Sequence, residues 1–532
     1  MDGDPLDFTL SGAARAPALV STPNLLRPKE PFHVQRIPPN AAPNSSPVYV
    51  THLLSLSTSF GVPTLLAIGD DSSLTLIDKT DGRVVQSTRA FRDGSRITQA
   101  KPLLSLSTSG SGSGSVAASG SAAASASGSG SGSSSGSFVG SVSNGTVASW
   151  DSRTTLETPV WSLRNPAATS STRAYLSVEP SPVDPHQLVA GTEQYGHGDA
   201  DVECWDVRMP SAPVWSYNEV HSDDVTSLWF HPDTAAHTSI LLSASTDGLV
   251  SAIDTTIQDE DDAVIAVGNS GNSIAKAGWI SPRFPITPSP SAPGKDEAVD
   301  QDLNIKESDP RRKNLGTVWA LGDMQTLTLF HADQFDVLLP TTDVRSSTSL
   351  RPPWSSDYII DILSSPSTSS TSSFSSTTSA SASRSGSRDS LTLLVGKSEG
   401  AFATLDIESA AAQHWHLSSL FPQAGDGTMY GHSDIVRSAL YDPDLNTLYT
   451  GGEDGQLGFW SLDPTSPAAA AAAAAEGSDP LIAASTNMHL HQQSSSRVGS
   501  NLPTGINTSN SNSNSRSTSS SIRSSQRYTP YK

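Results

Sequence analysis

Residue types that could perform nucleophilic hydrolysis occur in this chain twice, in the same order: His221, Ser243 and Asp247, then His432, Thr450 and Asp454. An imidazole held between a hydroxyl and a carboxylate can activate that hydroxyl as a nucleophile. The same three groups can equally form a buried clamp, in which the imidazole donates to a turn carboxylate and a strand hydroxyl completes the chain. Recurrence favours the clamp, because a nucleophile is needed once. Ser243 and Thr450 each stand four residues before their aspartate, so the spacing is copied along with the chemistry. Trp460, six residues beyond Asp454, adds an indole N–H to the second set; Ile253 stands at that place in the first.

The elements that position these groups show in a longer frame. A turn residue precedes a large apolar residue by six positions at Asp71 and Ile77, Asn144 and Trp150, Asp199 and Trp205, and Asp247 and Ile253. Asp323 with Leu329, Glu399 with Leu405, and Asp454 with Trp460 complete seven copies. The next position is Asp78, Asp151, Asp206, Asp254 or Asp406 in five of them. Asp-Gly and Asn-Gly supply the positive φ angles of a tight hairpin, so each frame reads as strand, turn, strand. Further β-rich segments such as "VTSLWF", "IVRSALY", "AYLSVE" and "IIDIL" precede the frames, giving four short strands per copy. A unit this small must stack on its neighbours to bury both faces. Without three low-complexity inserts, 108–137, 281–314 and 364–390, each copy between Val48 and Asp463 averages about 46 residues, near the roughly 40–45 of a WD-type blade. The expected fold is all-β, a seven-bladed WD-repeat propeller over residues 31–463, in which "PFHVQRI" (31–37) helps close the ring. Residues 1–30 and the Ser/Ala/Asn-rich tail 464–532 read as disordered, as do the Ser/Gly/Pro-rich inserts, which fall between strands of single blades.

Composition narrows the function classes. A formal charge of −21 argues against nonspecific nucleic-acid binding, since a phosphate backbone selects basic surfaces. Cys204 is the single cysteine, which excludes an internal disulfide and a thiolate zinc site. The N-terminal "MDGDPLDFTL" resembles no secretory signal, and no apolar stretch reaches the roughly 18 residues of a membrane span. The sequons at Asn44, Asn144 and Asn507 are then chance in a Ser-rich chain, and a cytoplasmic or nuclear location is expected. "GSGSGS" has no following helix to form a phosphate cradle. His414 and His416 in "HWH" have no third ligand nearby and read as loop histidines; "HLH" at His489 to His491 falls in the tail; Cys204 reads as a core filler. Neither a cofactor nor a metal is expected.

The segments "AGTE" (190–193), "CWDVRM" (204–209), "HSDDVT" (221–226), "FHP" (230–232), "STDGLV" (245–250), "EDDA" (260–263) and "GGEDGQL" (451–457) together resemble the WD repeat-containing protein 89 family. The resemblance is dense over units three, four and seven, while the long inserts and tail depart from it. It implies a propeller without catalytic residues that serves as a platform for protein partners. His221, Ser243, Asp247, His432, Thr450, Asp454 and Trp460 are then structural. Two surfaces stand out as candidates for partners. The acidic run "QDEDDA" offers Asp259, Glu260, Asp261 and Asp262 to a basic segment. The endings "WDSR" (150–153) and "WDVR" (205–208) look like the signature with which WD-repeat substrate receptors dock on a cullin–RING ligase adaptor, with Arg153 and Arg208 as bidentate donors. A scaffold is the first reading, such a receptor the second and a propeller enzyme the third. The ring is expected to be monomeric.

Overall fold

The computed structural model describes residues 13–28, 30–39, 46–57, 62–104, 134–166, 173–196, 199–280, 311, 314–346, 353–363, 391–412, 414–425 and 431–462. The tail 464–532, the insert 364–390 and most of the other two inserts lie outside these residues. Three strands open the chain: β1 (Ala14–Arg15), β2 (Ala18–Leu26) and β3 (His33–Arg36). Seven antiparallel sheets follow, and their strands are called a to d in chain order.

Blade one is β4 (Val50–Ser57), β5 (Pro63–Gly69), β6 (Ser73–Asp78) and β7 (Val84–Arg89). Blade two is β8 (Ile97–Leu104), β9 (Ser134–Val142), β10 (Thr146–Asp151) and β11 (Trp161–Leu163). Blade three is β12 (Tyr175–Pro180), β13 (Gln187–Thr192), β14 (Ala200–Asp206) and β15 (Trp215–His221). Blade four is β16 (Val225–Phe230), β17 (Ile240–Ser245), β18 (Leu249–Asp254) and β19 (Val264–Asn269), with the short helix α1 (Glu260–Ala263) between its last two strands. Blade five is β20 (Ile274–Ile280), β21 (Thr317–Gly322), β22 (Thr326–His331) and β23 (Asp336–Asp343). Blade six is β24 (Tyr358–Leu363), β25 (Leu391–Gly396), β26 (Phe402–Ile407) and β27 (His414–Phe421). Blade seven is β28 (Val436–Asp442), β29 (Thr447–Gly452) and β30 (Gln456–Ser461), with β3 as its d strand, antiparallel to β30. Neighbouring a strands contact one another, so they line the axis. The fold is the expected seven-bladed propeller, closed by the first and last parts of one chain.

Meander geometry sets two rims: the a–b and c–d connections lie on one, the b–c and d–a connections on the other. All three inserts interrupt a–b connections, and Ser134–Ser137 of the first belong to β9 rather than to a linker. Each b–c turn carries a frame residue. In blade four Gly248 N–H bonds the Ser245 carbonyl at 3.1 Å, and Gly248 sits at φ 87°. Only that glycine enters the left-handed region; Asp247 does not, so the turn needs one positive φ rather than two. Its carboxylate is left free to accept the Leu249 N–H at 2.8 Å. Blades are pinned at the axis by hydroxyls of one a strand donating to a carbonyl of the next. Examples are Ser177 to Val225 at 2.8 Å, Thr226 to Ile274 at 2.8 Å and Ser438 to Val50 at 2.9 Å. The approach is close enough that a Cβ at Gly451 would lie 2.4 Å from a Val50 methyl.

Residues 1–30 are not uniformly unstructured, contrary to the composition-based reading. β1 lies parallel on β23 and β2 parallel on β27, so the opening segment covers the outer edges of blades five and six before supplying β3 to blade seven. Leu19, 4% exposed, joins the apolar core shared by blades five and six.

Candidate functional site

Blade seven assembles the full polar set. Trp460 Nε1–H donates to Thr450 Oγ1 at 2.8 Å, and His432 Nε2 meets the same oxygen at 2.8 Å. His432 Nδ1 reaches Asp454 at 3.2 Å, and Asp454 also accepts the backbone N–H of Ser433 and of Gln456, each at 3.0 Å. One proton arrangement satisfies every atom: indole N–H to threonine oxygen, threonine O–H to Nε2, and Nδ1–H to the carboxylate. Blade four repeats it, with His221 Nε2 2.9 Å from Ser243 Oγ and Nδ1 3.1 Å from Asp247. Ile253 fills the indole's place, so that chain has one member fewer. The histidines are 1% exposed and the hydroxyls 0%, which leaves no approach for a substrate carbonyl.

Burial pushes both carboxyls up, but the bonds from His221 or His432 and from the backbone outweigh it, so Asp247 and Asp454 lie below their ordinary value. A depressed folded pKa gives stability that is complete above the unfolded value near 3.9 and disappears as pH falls through the folded value. His52 is lowered as well, so it acts in the same sense but over a higher pH range. It stands on β4, half-buried, facing the Lys276, Asp361 and Lys101 side chains of other a strands across the axis. Loss of hydration, then the Lys276 ammonium, hold its imidazole down to about 4. Unfolded chains take up this proton first, so stability falls as pH drops from about 6.5 to about 4. Urea unfolding across that window should show His52→Gln flattening the loss, with the steeper fall below about pH 4 unchanged. Equal slopes in the two proteins would remove His52 from the explanation.

Elsewhere the network is rebuilt from residues that the frame does not mark. Asp199 of blade three does not take the turn role; its carbonyl instead accepts from Arg173 at 3.0 Å. Glu203 on β14 supplies the buried carboxylate, 1% exposed, and bonds the Tyr175 hydroxyl and the Asn165 amide. Asn165 comes from the preceding d–a connection, as His432 does for blade seven, while His221 is the last residue of the preceding d strand. Burial pushes the Glu203 carboxyl up. In blade two Gly140 lies where Thr450 lies in blade seven, and Trp150 Nε1 finds no acceptor among the described residues. Two further buried charge pairs cross blade boundaries. Lys101 on β8 meets Glu179 on β12 at 3.0 Å and lies 3.0 Å over the Trp229 ring of β16. Lys79, its side chain 1% exposed, donates to Ser55 of its own blade at 2.7 Å and to Asp442 at 2.6 Å across the seam between blades seven and one.

The two candidate arginines lie on the rim of the c–d connections, in neighbouring blades. Arg153 chelates Asp151 through Nε and Nη2, and Arg208 chelates Asp206 the same way, with Nε 2.9 Å from Oδ1. Their side chains remain 56% and 57% exposed. The fork expected to serve a partner is therefore occupied by each blade's own aspartate. Arg345 clasps Asp343 with the same geometry at the end of a d strand and without a tryptophan, so this clasp also closes an ordinary strand end.

The acidic run is a helix start rather than a plain solvated loop. Asp259 caps α1 by accepting from Asp261 N, and Glu260 accepts the N–H of Asn218 at 2.9 Å and of Glu219 at 2.7 Å. Asp261 and Asp262 are exposed, and the Asp262 carbonyl receives Arg311 from the insert at 3.1 Å. His414 and His416 lie on β27, not in a loop. Cys204 is 7% exposed on β14, and burial pushes its thiol up to about 12. Among the described residues no cluster of three metal-ligating side chains forms, and no helix is long and apolar enough to cross a membrane.

No protein-family model matches the chain. Over 87 residues it is 40% identical to a protein of Schizosaccharomyces pombe named as an uncharacterized WD repeat-containing protein, covering 15% of this chain and 25% of that one. Over 96 residues it is 42% identical to a protein of Saccharomyces cerevisiae with the same kind of name, covering 18% and 23%. The chain thus spans about a quarter of the length of the curated relatives it matches. Among solved structures, a chain of the mitotic checkpoint complex aligns with a TM-score of 0.47 at 13% identity, covering 87% of this chain and 99% of that one. The computationally designed Ika8 protein aligns with a TM-score of 0.43 at 12% identity, covering 82% and 100%. The chain thus forms a seven-bladed ring and is similar, over part of its length, to two proteins named as WD repeat-containing.

Proposed function

We propose that the chain is a non-catalytic scaffold for protein partners, of the kind the WD repeat-containing protein 89 resemblance implies, working in the cytoplasm or nucleus. One observation carries this reading: the histidines, hydroxyls and carboxylates with catalytic spacing are spent on one another inside blades four and seven. What the ring offers a partner is two rims of loops on a rigid body. Affinity capture with the full chain tests it. Specific partners should be recovered equally by wild type and by Ser243→Ala, whereas a serine-directed covalent probe that labels Ser243 would overturn the reading.

A narrower reading, a substrate receptor of a cullin–RING ligase, draws on the half-exposed Arg153 and Arg208 standing on one rim of adjacent blades. A ligase adaptor would have to displace or share the Asp151 and Asp206 clasps. Capture of that adaptor should be lost in Arg153→Ala combined with Arg208→Ala; capture that persists takes the arginines out of any docking role. For the acidic run, Asp261→Lys with Asp262→Lys is the informative variant, because Asp259 and Glu260 are engaged in holding α1 and β15. Unchanged partners in that variant would discard the patch.

A further inference from the structure

We propose that the outer edges of blades five and six form a binding groove for an extended peptide, and that the chain's own residues 14–26 are its resident, exchangeable ligand. Every pairing inside the seven blades is antiparallel, whereas β1 on β23 and β2 on β27 are parallel. The segment therefore does not continue either meander; it is laid onto a finished edge, as a separate strand would be. Its register runs Ala14 opposite Thr342 and Arg15 opposite Asp343, then Ala18 to Ser21 opposite His414 to Leu417.

Recognition rests on backbone pairing and on Leu19, the one buried side chain among the strap's described residues, with Ala16 and Leu25 packed against the same cluster. Leu19 is 4% exposed within the apolar cluster that holds Trp354, Ile407 and Trp415, while its neighbours Ala18 and Val20 face outward. Ala16 N–H bonds the Asp343 carbonyl at 3.2 Å, and the Thr22 hydroxyl bonds the Leu417 carbonyl at 3.2 Å. The groove thus selects an extended strand with a leucine at position 19 and a second apolar residue near position 25, and is tolerant at the positions next to Leu19. The outer strands β7, β11, β15 and β19 carry no such cover among the described residues, so the feature is local to blades five and six. Pro28 and Pro31 separate this strap from β3, which stays paired to β30 when the strap leaves. A partner segment with the same pattern would enter by replacing the strap, at a place remote from either rim.

The test uses the full chain carrying Leu19→Asp, which empties the leucine pocket and keeps β3. A synthetic peptide of residues 13–28 should bind this variant with an affinity on the order of micromolar, at least roughly tenfold more tightly than it binds wild type. The same peptide with Leu19→Asp should not bind. A folded variant that ignores the wild-type peptide, or accepts both peptides equally, overturns the proposal. Hydrogen exchange on the wild-type chain decides the matter whether or not the variant folds. Strap amides should exchange roughly 100-fold faster than those of β26, through local opening. Equal protection would show that the strap leaves only when the whole ring unfolds, and would overturn the proposal.

Discussion

Asp442→Asn should lower unfolding stability by about 3–5 kcal/mol, among the largest losses expected of a single substitution in this ring. The reason lies in the seam where blade seven meets blade one. Lys79 follows the last residue of β6, and its ammonium, almost wholly buried, has Asp442 and Ser55 as hydrogen-bond partners. The asparagine keeps an oxygen for the Asp444 and Leu445 N–H groups, so the turn survives and the charge alone is removed. What remains is a buried cation facing a neutral amide and a serine. Lys79→Met should cost less, because Asp442 is 11% exposed and can draw in water. Joining the two changes should recover a large part of the loss, which is the mark of a coupled pair. Denaturant titrations of the four proteins check this; additive losses would show that the seam is held by packing alone.

His432→Ala is expected to cost about 2–4 kcal/mol, since a buried carboxylate loses its imidazole and a buried threonine loses a partner in the same step. His221→Ala should have a similar but smaller effect, because Ile253 makes the blade-four chain shorter by one member. In blade seven Trp460→Phe separates the indole bond from the ring's bulk. The tryptophan is fully buried and packs edge-on to Phe402 and Phe421, so phenylalanine keeps much of that contact and loses the 2.8 Å bond to Thr450. Thermal unfolding should rank wild type first, then Trp460→Phe, then His432→Ala. A reversed order of the two variants would shift the weight of blade seven from its polar chain to its aromatic packing.

The blade count was legible because a turn residue six positions before a large apolar one is a local signal, repeated in every unit. The clamp residues of blades four and seven were legible for a similar reason: Ser or Thr keeps its four-residue distance from Asp, and a His precedes each pair. What escaped depends on distant chain. The strap has neither a turn nor a heptad to mark it, and its strands exist because β23 and β27 are already formed. The Lys79–Asp442 pair joins residues 363 positions apart, and nothing near Lys79 announces it. In blade three the longer b–c turn, 193–199, hid a change of acceptor, from a turn aspartate to Glu203 on the strand, with Tyr175 and Asn165 donating to it. A charged residue inside the apolar alternation of "DVECWD" was the available sign that a buried polar network existed there. The arginine clasps were hidden for a simpler reason: residue type shows that a fork is present, but not that the aspartate two positions earlier already engages it. A fragment cut at Val48 would also lack β3, the fourth strand of blade seven, so ring closure depends on residues ahead of the first complete blade.

That the motif histidines and carboxylates hold the ring together and do nothing to a substrate is tested most directly by scoring one variant twice. His432→Ala, held below its lowered melting temperature, should be clearly less stable than wild type in urea yet recover the same partners at the same yield. A variant of undiminished stability that loses its partners or any associated turnover would contradict this, and would move the polar chain from the ring's interior to its function.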